Sequence, residues 1–269
     1  MTTPPQRRTR FFELHAHDDV FVMPNPWDVG SAKLLAGAGF EALATTSAGL
    51  AWSLGKDDQQ VTRDELVAHV RALSAATELP LNVDSERCYS DDLLGIAETV
   101  GLLHDAGAAG CSIEDYDPAT GTIDPIGMAA ERVAAAADAA HVVGDPMVLT
   151  ARCENFLYDI ADLDDTISRL RAYRDAGADC VYAPGLSTVA QIRAVVDAVG
   201  VPLNVLAWPG GPSVGEIGAA GGRRVSTGGA LASTAYGALM IGAHELLSAG
   251  TSAYRAISLR REDRSALRA

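Results

Sequence analysis

Short apolar runs of three to five residues recur along the chain, and stretches with apolar positions three and four apart separate them. Runs in which apolar residues do not alternate with polar ones read as strands buried on both faces. The longer stretches read as helices with one buried face. Strands are predicted at residues 20–24, 42–46, 81–84, 111–114, 147–151, 180–183, 203–206 and 224–226. Helices are predicted at 31–38, 62–76, 91–106, 128–140, 162–176, 187–199, 213–220 and 230–249, with Ser47-Ala48-Gly49 as a loop. Thr62 with Glu65 three residues on is a capping-box arrangement that opens the second helix.

A weak repeat agrees with this reading. Ala36-Gly37-Ala38, Ala106-Gly107-Ala108 and Ala176-Gly177-Ala178 recur 70 residues apart, each after a helical stretch and before an apolar run. Glycine there supplies the left-handed turn that ends a helix, and the spacing is that of two βα units. Eight strands alternating with eight helices predict a single-domain α/β fold, the (β/α)8 TIM barrel. A doubly wound open sheet would want a glycine-rich phosphate turn after its first strand, and Pro26-Trp27-Asp28-Val29-Gly30 does not provide one. The expected organisation is a flexible N-terminal leader over 1–10, the barrel over 11–250, and an Arg-rich C-terminal tail over 251–269, a surface strap or an oligomer contact.

Composition narrows the function classes. The chain has 269 residues, normal for one such barrel, and 48% of them are hydrophobic, ample for its core. A net charge of −14 argues against sequence-independent nucleic-acid binding, and no apolar run approaches membrane-spanning length. None of the four cysteines, Cys88, Cys111, Cys153 and Cys180, forms a C-x-x-C pair, so reduced thiols in a cytoplasmic protein are expected.

Candidate chemistry lies at the strand ends, because barrels of this kind carry their active groups there. Asp84 and Glu86 close the third strand at i, i+2, a spacing that puts both side chains on one side of an extended chain. Two acids held together ask for a cation or a trapped proton. Glu114-Asp115 ends the fourth strand, Arg152 the fifth, Asn204 lies near the end of the seventh, and Ser226-Thr227-Gly228-Gly229 follows the eighth. Oxygen ligands without nearby histidine favour Mg2+ or Mn2+ over zinc. Arg152 would clamp a carboxylate or phosphoryl group, and Ser47-Ala48-Gly49 could offer backbone N–H groups to an anion. His15-x-His17 is a rival metal pair that would make the protein a zinc hydrolase. It precedes the first strand, and two surface imidazoles is the preferred reading.

In this order on eight βα units, the residues resemble the isocitrate lyase / phosphoenolpyruvate mutase superfamily, in its short single-domain form, over about residues 12–244. The resemblance rests on Asn25-Pro26-Trp27-Asp28 with Ser31-Ala32, Thr46-Ser47-Ala48-Gly49, and Ser53-Leu54-Gly55 with Asp58. It continues through Asp84-Ser85-Glu86, Ser112-Ile113-Glu114-Asp115, Ala151-Arg152, and Pro212-Ser213 before Arg224-Val225-Ser226. It implies a Mg2+-dependent enzyme that makes or breaks a C–C or P–C bond beside a 2-oxo or 2-hydroxy acid. By that resemblance Asp84 and Glu86 hold Mg2+, directly or through water, with Glu114 and Asp58 in its hydration shell. Ser47 with the Ala48 and Gly49 backbone binds the pyruvyl carboxylate, and Arg152 the departing anionic group. Homodimers or homotetramers are likewise implied.

The chain departs from the pattern where the lyases carry a Lys-x-Cys-Gly-His type loop, since residues 115–124 contain no Cys, Lys or His. Cys88 and Cys153 replace residues that are usually Gly and often Thr; either could face the rim, and at Cys88 a packed thiol is preferred over a catalytic one. The expected protein is a Mg2+-dependent lyase or mutase acting on a small 2-oxo or 2-hydroxy acid or a phosphonate. An oxaloacetate-type decarboxylase, a C–C or P–C hydrolase, and a non-catalytic oxo-acid-binding barrel are the alternatives.

Overall fold

The chain enters the fold through a helix, not a frayed leader. The computed structural model describes residues 2–268, and α1 spans Pro4–Ala16 with two prolines in its first turn, where no backbone N–H is needed. The basic character that reads as a leader conceals anchors. Arg7 donates to the Ser74 and Thr77 carbonyls at 2.7 and 2.9 Å, and Arg8 reaches the Ala108 carbonyl at 2.9 Å and pairs with Asp145. Phe11 and Leu14 then plug the N-terminal end of the barrel.

The barrel follows as β1 (Phe21–Met23), α2 (Val29–Gly37), β2 (Leu43–Ala44), α3 (Ser47–Ser53), α4 (Arg63–Ala76), β3 (Leu81–Asp84), α5 (Leu93–Asp105) and β4 (Gly110–Glu114). A hairpin of β5 (Tyr116–Asp117) and β6 (Thr122–Ile123) comes next, then α6 (Ile126–Ala140), β7 (Val148–Arg152), α7 (Leu163–Asp175) and β8 (Cys180–Tyr182). The chain continues through α8 (Val189–Val199), β9 (Leu203–Leu206), α9 (Val214–Ala219), β10 (Arg224–Ser226) and α10 (Ala230–Ser248). All pairings in the eight-stranded sheet β1-β10-β9-β8-β7-β4-β3-β2 are parallel, and Ala44 N–H donates to the Pro24 carbonyl at 3.1 Å across the remaining seam. The fold is a (β/α)8 barrel.

Outward strand residues such as Val83, Leu149, Val181, Val205 and Val225 form one apolar layer with the helices. At the bottom the inward residues are apolar, and Phe21, Ala42 and Val148 meet Phe11 of α1. Higher up Met23 and Ala44 share the interior with Thr150, Asn204, Arg224 and Ser226, all buried. A polar interior at that level leaves a cavity where aliphatic side chains would otherwise fill the barrel.

One further local reading changes. Ser47-Ala48-Gly49, expected as a loop, is the first turn of α3, capped by Thr46, whose Oγ1 accepts from Gly49 N–H at 3.3 Å. The last 3-10 turn, Asp263–Arg268, lies on α2, where a Cβ on Gly37 would stand 2.5 Å from Ala266 Cβ. Helix α10 buries only Ala232 and Gly242, leaving Leu239, Met240, Ile241 and Leu247 exposed. No helix among the described residues is long and apolar enough to cross a membrane.

The histidine pair is also not what the sequence suggests. His15 is buried, not a surface imidazole, and both ring nitrogens are engaged, Nδ1 with the Phe11 carbonyl at 2.7 Å and Nε2 with Arg224 Nη1 at 3.1 Å. Exposed His17 follows the end of α1, at the opposite end of the barrel from the acids. Burial, reinforced by the Arg224 charge, lowers the His15 pKa to about 3. An unfolded histidine titrates near pH ~6.5, so the unfolded chain binds the extra proton first as pH falls. His15 therefore contributes its full stability above that pH and loses it as pH drops toward the folded value. The melting temperature of His15→Gln should fall less steeply than that of the wild type between about pH 6.5 and 4.5. Parallel curves in a thermal-melt series would refute a neutral buried His15.

Candidate active site

The C-terminal strand ends surround a cavity of about 170 Å3, smaller than the ~300 Å3 at which pockets for drug-sized ligands begin. Six residues expected at the site line it, Ser47, Ala48, Asp58, Asp84, Arg152 and Asn204. Gly49 sits behind the wall, where a Cβ would come within 2.5 Å of Thr46 Cγ2 and 3.0 Å of Trp27 Cβ, so only glycine fits. Asn25 ties the rim together, donating to the Thr45 carbonyl at 2.7 Å and accepting from Thr227 and Gly228 N–H at 2.9 and 3.0 Å.

Arg152 is the hub. Its Nη1 lies 2.6 Å from Asp84 Oδ1 and 3.3 Å from Glu114 Oε2, and its Nε donates to Glu154 Oε1 at 2.9 Å. The guanidinium also stands 5.3 Å from the centre of the Tyr182 ring. Asp84 Oδ2 accepts from Ser47 N–H at 3.1 Å, and Asp84 N–H donates to Thr45 Oγ1 at 2.8 Å. Strand register makes the cluster: Glu114 is paired with Arg152, and Arg152 with Tyr182, on neighbouring strands. Glu154, Tyr182 and Asn25 were not among the expected site residues. Tyr182 could have been found two positions after Cys180, on the same strand face.

Glu86 reaches the cluster by another route than strand alternation. It lies past the end of β3 at φ 48°, and Cys88 and Tyr89 are also left-handed at 60° and 55°. Backbone of this kind is strained in non-glycine residues and concentrates at functional sites. Glu86 is buried, and its Oε1 has no hydrogen-bond partner. Burial, followed by the nearby Asp84 and Asp58 charges, pushes its pKa up to about 8. Burial and Asp84 likewise raise Asp58, with a Ser47 hydrogen bond opposing, and burial raises Glu114 well above the usual carboxylate range against the pull of Arg152.

Among the described residues, no three His, Cys, Asp or Glu side chains are drawn together as a ready-made ion cage. Arg152 stands between the carboxylates of Asp84 and Glu114. The donor set nonetheless fits a hard divalent cation: crowded carboxylate oxygens, one of them orphaned on Glu86, whose charged forms are disfavoured as they stand.

A (β/α)8 barrel carries its active groups at the C-terminal mouth, and here acids, an amide and a guanidinium gather there. The sequence profile of the phosphoenolpyruvate phosphomutase family matches residues 11–247. An uncharacterised protein of Mycobacterium tuberculosis (strain H37Rv) is 36% identical over 220 residues, 81% of each chain. A Corynebacterium glutamicum protein provisionally named 2-methylisocitrate lyase 2 is 30% identical over 74% of this chain and 66% of its own. Among solved structures, a Burkholderia cenocepacia J2315 protein provisionally described as a lyase/mutase superposes with a TM-score of 0.93 at 46% identity, covering 97% of this chain and 94% of its own. A 2,3-dimethylmalate lyase, described as a PEP mutase/isocitrate lyase superfamily member, gives 0.84 at 26%, covering 97% and 89%. The chain belongs to the isocitrate lyase/phosphoenolpyruvate mutase superfamily.

The loop without Cys, Lys or His is the β5–β6 hairpin, and ion pairs pin both of its ends. Asp115 accepts from Tyr173 Oη at 2.5 Å and from Glu154 N–H at 2.9 Å, and Asp124 N–H donates to the Asp115 carbonyl at 2.7 Å. Buried Asp124 also faces Arg87 at 2.9 Å and Arg132 at 3.7 Å, while Tyr116 stacks on Tyr158 at 3.7 Å. Cys88 and Cys153 are fully buried, and burial pushes the Cys88 thiol up to about 11. Neither lines the cavity. Removing the Asp124 carboxylate would leave buried Arg132 without its paired carboxylate and Arg87 with only the exposed Asp91. Asp124→Ala should cost about 3–5 kcal/mol of stability and admit protease at the hairpin. A melting temperature and cleavage pattern equal to the wild type's would show the anchors to be idle.

Proposed function

We propose that the protein is a Mg2+-dependent lyase or mutase that cleaves or rearranges a C–C or P–C bond beside a 2-oxo or 2-hydroxy acid. The observation that carries this reading is Arg152 held by Asp84 and Glu114 at the barrel mouth, with Asp58 on the same cavity wall and Glu86 near enough to feel the Asp84 and Asp58 charges. Relatives named as lyases and mutases support the enzyme class.

Asp84, Glu86 and Glu114 would hold the ion, directly or through water. Mg2+, when bound, supplies the positive charge against which an enolate can develop. Ser47 with the backbone of Ala48 and Gly49, together with Asn204, receives the substrate carboxylate. The two-pronged guanidinium of Arg152 orients the departing anionic group. Asp58, accepting a hydrogen bond from Ser47, keeps that hydroxyl aimed across the cavity beside Asp84. A hairpin without an acid–base Cys, Lys or His favours decarboxylation of an oxaloacetate-type substrate, or hydrolytic cleavage, as the second reading. Four buried unpaired thiols support the expected cytoplasmic setting. The apolar face of α10 supports a homodimer or homotetramer.

In calorimetry, Asp84→Ala should abolish Mg2+ binding, whereas Arg152→Ala should spare it and weaken oxalate binding on the order of 10–100-fold. Unchanged Mg2+ affinity in the first variant sinks the metal assignment. Wild-type enzyme that converts none of a panel of 2-oxo, 2-hydroxy and phosphono acids, with substrate loss followed by NMR, leaves only the binding-protein alternative. A monomer by light scattering at micromolar concentration removes the oligomer.

A further inference from the structure

Deep in the same cavity lies a second cation that the mechanism above does not use. Arg224 is 2% exposed, yet it is part of the cavity lining. Its Nε donates to Asn204 Oδ1 at 2.9 Å and its Nη2 to Thr150 Oγ1 at 3.0 Å, while its Nη1 lies 3.1 Å from His15 Nε2. All three partners are neutral. Arg8, Arg87 and Arg132 are also buried and Arg152 is largely so, and each faces a carboxylate. Among the described residues none faces Arg224. A guanidinium desolvated without a counter-charge is a cost that nothing in the chain returns. Nearby on the cavity wall, Asn82 Oδ1 is buried and has no hydrogen-bond partner.

Register shows how the two arginines are related. Arg152, Tyr182, Asn204 and Arg224 are matched in sequence on four neighbouring strands. Strands in such a barrel tilt against its axis, so a register-matched row descends as it goes round. It runs from Arg152 at the mouth to Arg224 above the apolar plug.

We propose that Arg224 determines substrate specificity by receiving a second carboxylate at the cavity floor, so that the site selects small dicarboxylic acids over monocarboxylic acids of the same length. This rests on the reading that the mouth binds the first carboxylate beside Mg2+. A dianion neutralises both ends of the row, whereas a methyl terminus leaves the floor cation unpaired, and an unpaired buried charge discriminates strongly against a ligand.

Malate and 2-hydroxybutyrate are four-carbon 2-hydroxy acids that differ in the distal carboxylate. Titrated calorimetrically into the full chain with Mg2+, malate should bind about tenfold more tightly or better. Arg224→Gln should bring the ratio to within about twofold. Thr150→Asp, which sets a carboxylate against Arg224 Nη2, should do the same, and it carries the test if Arg224→Gln does not fold. A purely structural Arg224 would lower the melting temperature and leave the ratio unchanged, which overturns the proposal. Equal Mg2+-dependent affinities in the wild type overturn the floor site and leave the mouth reading standing. Absence of binding by either acid overturns both.

Discussion

Carboxylates cannot crowd into a water-poor cavity unless positive charge stands among them, and that constraint organises the mouth of this barrel. Arg152 meets it by touching Asp84, Glu114 and Glu154 at once. Its position is fixed by register, one strand over from Glu114 and one strand before Tyr182. Glu86 lies outside its direct reach and keeps a raised pKa and an orphan oxygen. One guanidinium against three carboxylates leaves the cluster short of positive charge, and Glu86 adds to the shortfall, the condition in which a divalent ion gains most.

The same reasoning explains why the interior changes character with height. At the bottom, α1 and small or aromatic side chains close the barrel as an ordinary core. Even there space is short: a Cβ on Gly110 would lie 2.7 Å from the Val148 carbonyl oxygen and 2.8 Å from the Phe11 ring. One layer up, Thr150, Asn204 and Arg224 satisfy one another with hydrogen bonds that aliphatic residues could not make. That layer keeps the cavity from collapsing, with Asn204 and Arg224 joined on adjacent strands and Thr150 and Arg224 joined across the interior.

Much of the architecture was legible because buried parallel strands leave unbroken apolar runs. β3, β9 and β10 fall on their expected residues, and the other barrel strands differ only at their ends. Capping chemistry was equally local, as at Thr62, whose Oγ1 accepts from Glu65 N–H at 3.3 Å. What stayed hidden depends on distant partners. Arg7 and Arg8 read as a solvated leader because the carbonyls they bind lie about 70 to 100 residues further on. The Ser47 turn is too short for helical periodicity to register. Glu86 was linked to Asp84 by alternation, a rule that stops where β3 ends and the left-handed turn begins. The Arg224–His15 contact joins residues 209 positions apart, and no local pattern carries such information.

The plug at the foot of the barrel has a consequence for assembly. Helix α1 precedes every strand in the chain, yet its seat is made by Ser74, Ala108, Asp145 and Arg224. Synthesised ahead of every strand of the barrel, it cannot complete its docking until β10 has been made. For most of translation its arginines and Phe11 remain outside any finished structure, and the stopper goes in only after the cask is built.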